Sequence, residues 1–146
     1  MILIDLFETR SDSLWHGTNL YNTIKIIEEN TLRAKTEHDL PEIGRVMGVS
    51  LSRSRHFATT WSFVTFELDR RRLAQRYRLI PFNYWHRGHE RTQHDAREEA
   101  EEFIIGPVTP VDRYLIAIHI TAKHLKTLMP FHDSLRNHPL LKVSAK

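Results

Sequence analysis

The chain has 146 residues, no cysteine, 21 Lys and Arg against 18 Asp and Glu, and a formal net charge of +3. That length fits one domain with a single core, and the lack of cysteine excludes disulfides and thiolate metal sites. No apolar run approaches the roughly 18 residues of a membrane span. Met1 to Leu6 carries Asp5 and is too short in its apolar part for a signal peptide, so a soluble, cytoplasmic protein is expected.

In chain order, Leu14 to His16 reads as a short buried strand. Asn19 is placed to cap a helix carrying Leu20, Ile24 and Ile27 on one face and ending at Glu28-Glu29-Asn30. Thr31 to Ala34 begins an extended segment. Residues 35–45 are polar, contain Pro41 and Gly44, and read as a loop. Val46 to Leu51 reads as a strand, Arg55 to Trp61 as a short helix, and Val64 to Leu68 as an alternating strand. Asp69 is placed to cap a helical turn over Arg70 to Ala74. Tyr77 to Pro81 reads as a strand ended by its proline, and residues 83–97 as a loop leading into a short helix. Glu102 to Ile105 is the next strand, Gly106-Pro107 a turn, and Tyr114 to Ile120 a strong final strand. Thr121 then caps a helix with Leu125 and Leu128. Strands this close leave no room for full crossover helices, so the expected class is α+β rather than a doubly wound sheet.

Arginine outnumbers lysine, and the densest stretch is Arg70-Arg71-Arg72 with Arg76 and Arg78. Arg87, Arg91 and Arg97 form a second spread. Guanidinium groups pair bidentately with phosphates, so these residues suit a nucleic acid or a pyrophosphate. They equally suit a solvated helix face and a loop. There is no Gly-x-Gly-x-x-Gly, no Walker lysine and no Gly-x-Ser-x-Gly. Of ten histidines, His86, His89 and His94 lie close together, but no carboxylate or cysteine spacing completes a metal site.

Three segments carry the chemistry. In His16-Gly17-Thr18 a histidine ends a strand and the glycine lets a ligand approach the backbone. The imidazole is then expected to donate to a ribose hydroxyl, with Thr18 adding a contact and the Gly17 peptide groups facing a carboxamide. In Ser50-Leu51-Ser52-Arg53 the two serines share one strand face, suited to holding a ribose or orienting a carboxylate, and Arg53 is suited to a pyrophosphate. In Glu98-Glu99-Ala100-Glu101-Glu102-Phe103-Ile104-Ile105, Glu101 and Glu102 point to opposite faces if both are extended. Only one of them can therefore meet the cleft, where it would stabilise a developing sugar cation.

The order of these segments resembles the NAD-binding core of ADP-ribosyltransferases over roughly residues 14 to 120, with the overall look of their small phage and bacterial members. The resemblance implies a split β-sandwich of two small apposed sheets with short helices. His16, Gly17 and Thr18 take the role of the strand that binds ribose and the nicotinamide amide, and Ser50 and Ser52 that of the second strand. Glu102 fits the catalytic position best, because Glu102 to Ile105 is similar to the family's Glu-plus-hydrophobics strand. Glu101 stays open, since Glu99-Ala100-Glu101 is similar to the family's approach to that strand. Tyr21, Phe57, Trp61, Tyr77 and Tyr84 are the candidates for the ring that stacks on nicotinamide, with Tyr21 attractive for following His16 closely. The first segment has His where the arginine-modifying toxins carry Arg, and the second has no obvious cleft Tyr, so the chain mixes features of the two large branches.

The expected function is a mono-ADP-ribosyltransferase that takes NAD as co-substrate, releases nicotinamide and modifies a macromolecular acceptor, protein or nucleic acid. Two rivals stand beside it. One is an RNA 2′-phosphotransferase-like enzyme, which the arginines suit and which leaves the Glu strand unexplained. The other is a basic nucleic-acid-binding module without catalysis, which leaves the order of the three segments unexplained.

Overall fold

The computed structural model describes residues 12–60, 62–82, 101–128 and 133–145. The strands are β1 (Ser13–Thr18), β2 (Thr36–Leu40), β3 (Gly44–Ser52), β4 (Val64–Asp69), β5 (Ile80–Phe82), β6 (Glu101–Ile105), β7 (Leu115–Thr121) and β8 (Leu141–Ser144). The helices are α1 (Leu20–Glu29), α2 (Arg55–Thr60), α3 (Arg70–Arg76), α4 (Ala122–Leu128) and α5 (Asp133–Arg136), with a 3-10 turn at Val111–Arg113. The fold is mixed α+β. One eight-stranded sheet runs in the order β5-β6-β3-β1-β4-β7-β8, and β2 pairs with β3 off that path. Every ladder is antiparallel except that between β7 and β8. No helix among the described residues is long and apolar enough to cross a membrane.

The local signals explain the elements. The Asn19 side chain accepts from the Asn22 N–H at 2.7 Å and starts α1, and Asn30 ends it in the left-handed region at φ 51°. Asp69 caps α3 through the Arg72 N–H. Val64, Phe66 and Leu68 alternate inward on β4 and are fully buried. Opposite them stand Leu14 on β1 and Ile118 and Ile120 on β7. Ile24, Ile26, Leu32, Leu73, Val108 and Leu135 close this core from the connecting elements. Burying side chains of this size supplies about 1.5–3 kcal/mol each before ordering costs.

Three expectations are corrected. Residues 35–45 are a β-hairpin rather than a loop. Thr36 to Leu40 alternates, with His38 and Leu40 inward, and the inward histidine hides the period from a hydropathy reading. Glu42 at φ 71° and Gly44 at φ 89° make the turn. Pro81 lies inside β5 rather than ending a strand, which is tolerated because β5 is the edge of the sheet. β6 begins at Glu101, one residue earlier than the expected start at Glu102. The expected loop over 83–97, with Arg87, Arg91, Arg97, His86, His89 and His94, lies outside the described residues, as do Glu98 and Glu99.

The joint between β1 and β3 positions the site. β1 runs along β4 for six residue pairs, whereas its ladder with β3 consists of Trp15↔Ser52 alone. Beyond that pair the two strands diverge, and His16 to Thr18 present an edge with no β3 partner. α2 crosses the same end of β1.

Candidate active site

A cavity of about 400 Å³ opens where β1 and β3 part, and its wall includes Trp15, His16, Gly17, Ser50, Ser52 and Glu101. Three distant stretches of sequence thus meet at one place. Gly17 is there for a steric reason: a Cβ on it would overlap the Ala58 carbonyl oxygen and Ser62, so only glycine lets α2 cross β1 this closely.

His16 is half-buried, and its Nδ1 lies 3.2 Å from the Ser50 carbonyl oxygen. A carbonyl only accepts, so Nδ1 carries the proton and Nε2 is left as an acceptor. Burial holds this imidazole below its ordinary value. The Lys35 charge adds to that lowering and the Ser50 carbonyl opposes it. The neutral ring therefore offers a ligand an acceptor at Nε2, whereas the expected contact to a ribose hydroxyl has the imidazole donating. A second, narrower cavity of about 60 Å³ on the α1 side is lined by His16, Thr18 and Ser50 among others. His16 and Ser50 thus belong to both cavities, while Thr18 lines the narrow one.

The two adjacent glutamates diverge. In the β3–β6 ladder Ser52 stands opposite Glu101, and Leu51 opposite Glu102. Directly opposed residues share a face of the sheet, so Glu101 joins the serine side. Glu101 is 1% exposed, lines the large cavity, and takes a 2.9 Å hydrogen bond from His38 Nε2. Glu102 points to the other face, where Arg70 donates to it from Nε at 3.1 Å and Nη2 at 2.9 Å. The expected better fit, Glu102, is thus turned away from the cavity, because the register pairs it with Leu51 and pairs Glu101 with Ser52. Ser52 Oγ donates to the Ser54 carbonyl and accepts from the Ser54 N–H, which ties the end of β3 to the start of α2.

Tyr21 is 70% exposed on α1, and neither it nor Arg53 lines the large cavity. Tyr77 is also elsewhere: its hydroxyl donates to the Thr109 carbonyl and accepts from the Thr109 N–H. The Phe57 side chain, Trp61 and Tyr84 lie outside the described residues. Among the described residues, Trp15 lines the cavity beside His16, and the sequence reading takes it only as part of the buried strand. It is held by Arg55, 5.4 Å from its ring, and by the His119 ring at 5.5 Å. His38 was missed with the hairpin that carries it. Its signal is the alternation of Thr36 to Leu40.

The arginine stretch is largely committed. Arg70 holds Glu102, Arg71 lies 3.4 Å from Asp12, and Arg72 lies 3.6 Å from Asp69 and donates to the Arg113 carbonyl. Arg72, Gln75, Arg76, Arg113 and Tyr114 surround a further cavity of about 350 Å³. No group of three or more histidines and carboxylates that could hold a metal ion occurs among the described residues. Comparisons with protein-family models, with curated proteins and with solved structures find no match to the chain.

Proposed function

We propose that the protein is a mono-ADP-ribosyltransferase that uses NAD as co-substrate, with the architecture of a split β-sandwich that opens between β1 and β3. The observation that carries this reading is the convergence of His16, Ser50, Ser52 and Glu101 on one cavity at that opening. The single-pair joint between β1 and β3 supports the split.

In this reading NAD lies bent in the cavity. The unpartnered edge at His16 to Thr18 meets the carboxamide, His16 Nε2 accepts from a ribose hydroxyl, and Trp15 supplies the flat apolar surface beside the ring. The bond between ribose C1′ and the nicotinamide nitrogen breaks, and nicotinamide leaves with the electron pair. The Glu101 carboxylate, held on the cavity side of β6, stabilises the sugar cation. The acceptor then attacks C1′ and loses its proton to water. Glu101 takes the catalytic role in place of Glu102, because Glu101 lines the cavity, whereas Glu102 does not and is held by Arg70.

The test is binding and turnover by the folded protein. NAD at millimolar concentration raises the melting temperature by mass action and is converted to nicotinamide. A folded protein that shows neither removes the reading. The 2′-phosphotransferase reading is favoured by the cavity of Arg72, Arg76 and Arg113, and loss of the phosphate from a 2′-phosphorylated RNA to the ADP-ribose part of NAD, with nicotinamide leaving from C1′, identifies it.

A further inference from the structure

We propose that His38 is a positioning residue for Glu101, fixing the carboxylate at the cavity wall for the sugar cation. This rests on the transferase reading above.

The geometry has three independent parts. First, both partners are buried, His38 at 7% and Glu101 at 1% exposure, and His38 Nε2 donates to Glu101 Oε2 over 2.9 Å. Removing a carboxylate from water is costly unless donors replace the lost hydration, and His38 Nε2 is one such donor. Second, the imidazole has little freedom. It stacks on Phe82 at 4.2 Å and 8°, and meets Phe103 edge-on at 4.5 Å. Phe82 stands opposite Glu101 in the β5–β6 ladder, and Phe103 lies two residues along β6 on the same face. The clamp that fixes the donor is therefore built on the strands that fix the acceptor. Third, His38 is brought there by a hairpin that is polar at most positions. β2 pairs with β3 in the register His38↔Val46, and Ser50 and Ser52 lie further along the same β3.

Catalysis by a fixed charge depends on its being in place before the transition state, so reorientation costs rate more than binding. A positioning role and a purely structural one therefore separate in kinetics. His38→Phe keeps a flat ring between Phe82 and Phe103 and removes the donor. His38→Gln restores an N–H donor near the reach of Nε2, whereas the shorter His38→Asn does not.

The experiment measures kcat and KM for nicotinamide release from NAD by the full chain, together with melting temperature. The wild type turns over. His38→Phe lowers kcat by about 10–100-fold with KM for NAD within about threefold, and His38→Gln returns kcat to within about fivefold of wild type. In a Glu101→Gln background His38→Phe changes kcat by less than about twofold, because the two residues act as one unit. If His38→Phe does not fold, the comparison of His38→Asn with His38→Gln decides: low kcat in Asn and recovery in Gln supports the role, and equal kcat overturns it. Full kcat in folded His38→Phe overturns the positioning role while the transferase stands. A folded wild type that neither binds NAD nor releases nicotinamide overturns both, and is read on the wild type alone.

Discussion

Arg70 grips Glu102 with two hydrogen bonds, from Nε and Nη2, on the face of β6 turned away from the cavity. Glu102 is 3% exposed, so the pair joins the start of α3 to β6, the strand next to the sheet edge. Removing one charge leaves the other half-buried and unpaired. Glu102→Gln is expected to lower unfolding free energy by about 1–3 kcal/mol, read by urea denaturation. Unchanged stability would show that solvent at the exposed side of Arg70 takes over the pairing.

His16 carries a pH signature. Its folded value is lowered, mainly by burial, so the unfolded chain binds the proton more readily. Its contribution to stability is therefore complete above the ordinary imidazole value of about 6.5, and is lost as pH falls from there through the folded value. His16→Asn keeps an N–H toward the Ser50 carbonyl and does not titrate. The stability difference between wild type and this variant is expected to shift in favour of wild type between pH 5 and pH 7, measured by chemical denaturation. NAD affinity is expected to fall only as pH drops through the lowered folded value, because a protonated Nε2 can no longer accept from a hydroxyl. A difference independent of pH contradicts the assignment.

Gly17 tests the crossing of α2 over β1. Gly17→Ala forces a methyl into the Ala58 carbonyl and Ser62, an overpacking expected to cost about 1–3 kcal/mol. The same change shifts the wall of the cavity. The expected result is a lower melting temperature together with weaker NAD binding. A variant as stable as wild type would mean that α2 yields easily.

Much of this was legible in the chain, and what was lost has physical reasons. The strand at Val64 to Leu68 was plain because its apolar and polar residues alternate, and α1 was plain because Asn19 and Asn30 bracket an apolar face. Residues 35–45 were misread because a buried histidine looks polar to a hydropathy pattern. His38 is inside only because Phe82, Phe103 and Glu101 receive it, and all three are distant in sequence. The choice between Glu101 and Glu102 turns on the register of β6 against β3. A one-residue shift in a strand exchanges its faces, and two adjacent glutamates carry no signal of which begins the pairing.

The arginine cavity bears on the acceptor. Arg70, Arg71 and Arg72 have acidic partners, and Arg76 and Arg113 line the cavity beside them. If the acceptor is a nucleic acid, binding of a single-stranded oligonucleotide weakens with salt through counterion release. The double variant Arg76→Ala, Arg113→Ala is then expected to reduce the slope of log affinity against log salt by about 1–2. A slope unchanged by the double variant moves any nucleic-acid contact elsewhere, and absence of binding at low salt favours a protein acceptor.

The most direct measurement is kcat for nicotinamide release by Glu101→Gln and Glu102→Gln side by side, each checked for folding and for an NAD-dependent melting shift. The two residues are neighbours in the chain with the same chemistry, and they differ in which face of β6 they occupy. Glu101→Gln is expected to bind NAD and lose turnover by about 10² to 10³, the scale of one preorganised charge, while Glu102→Gln keeps kcat within about threefold at reduced stability. Wild-type turnover in folded, NAD-binding Glu101→Gln would contradict the account.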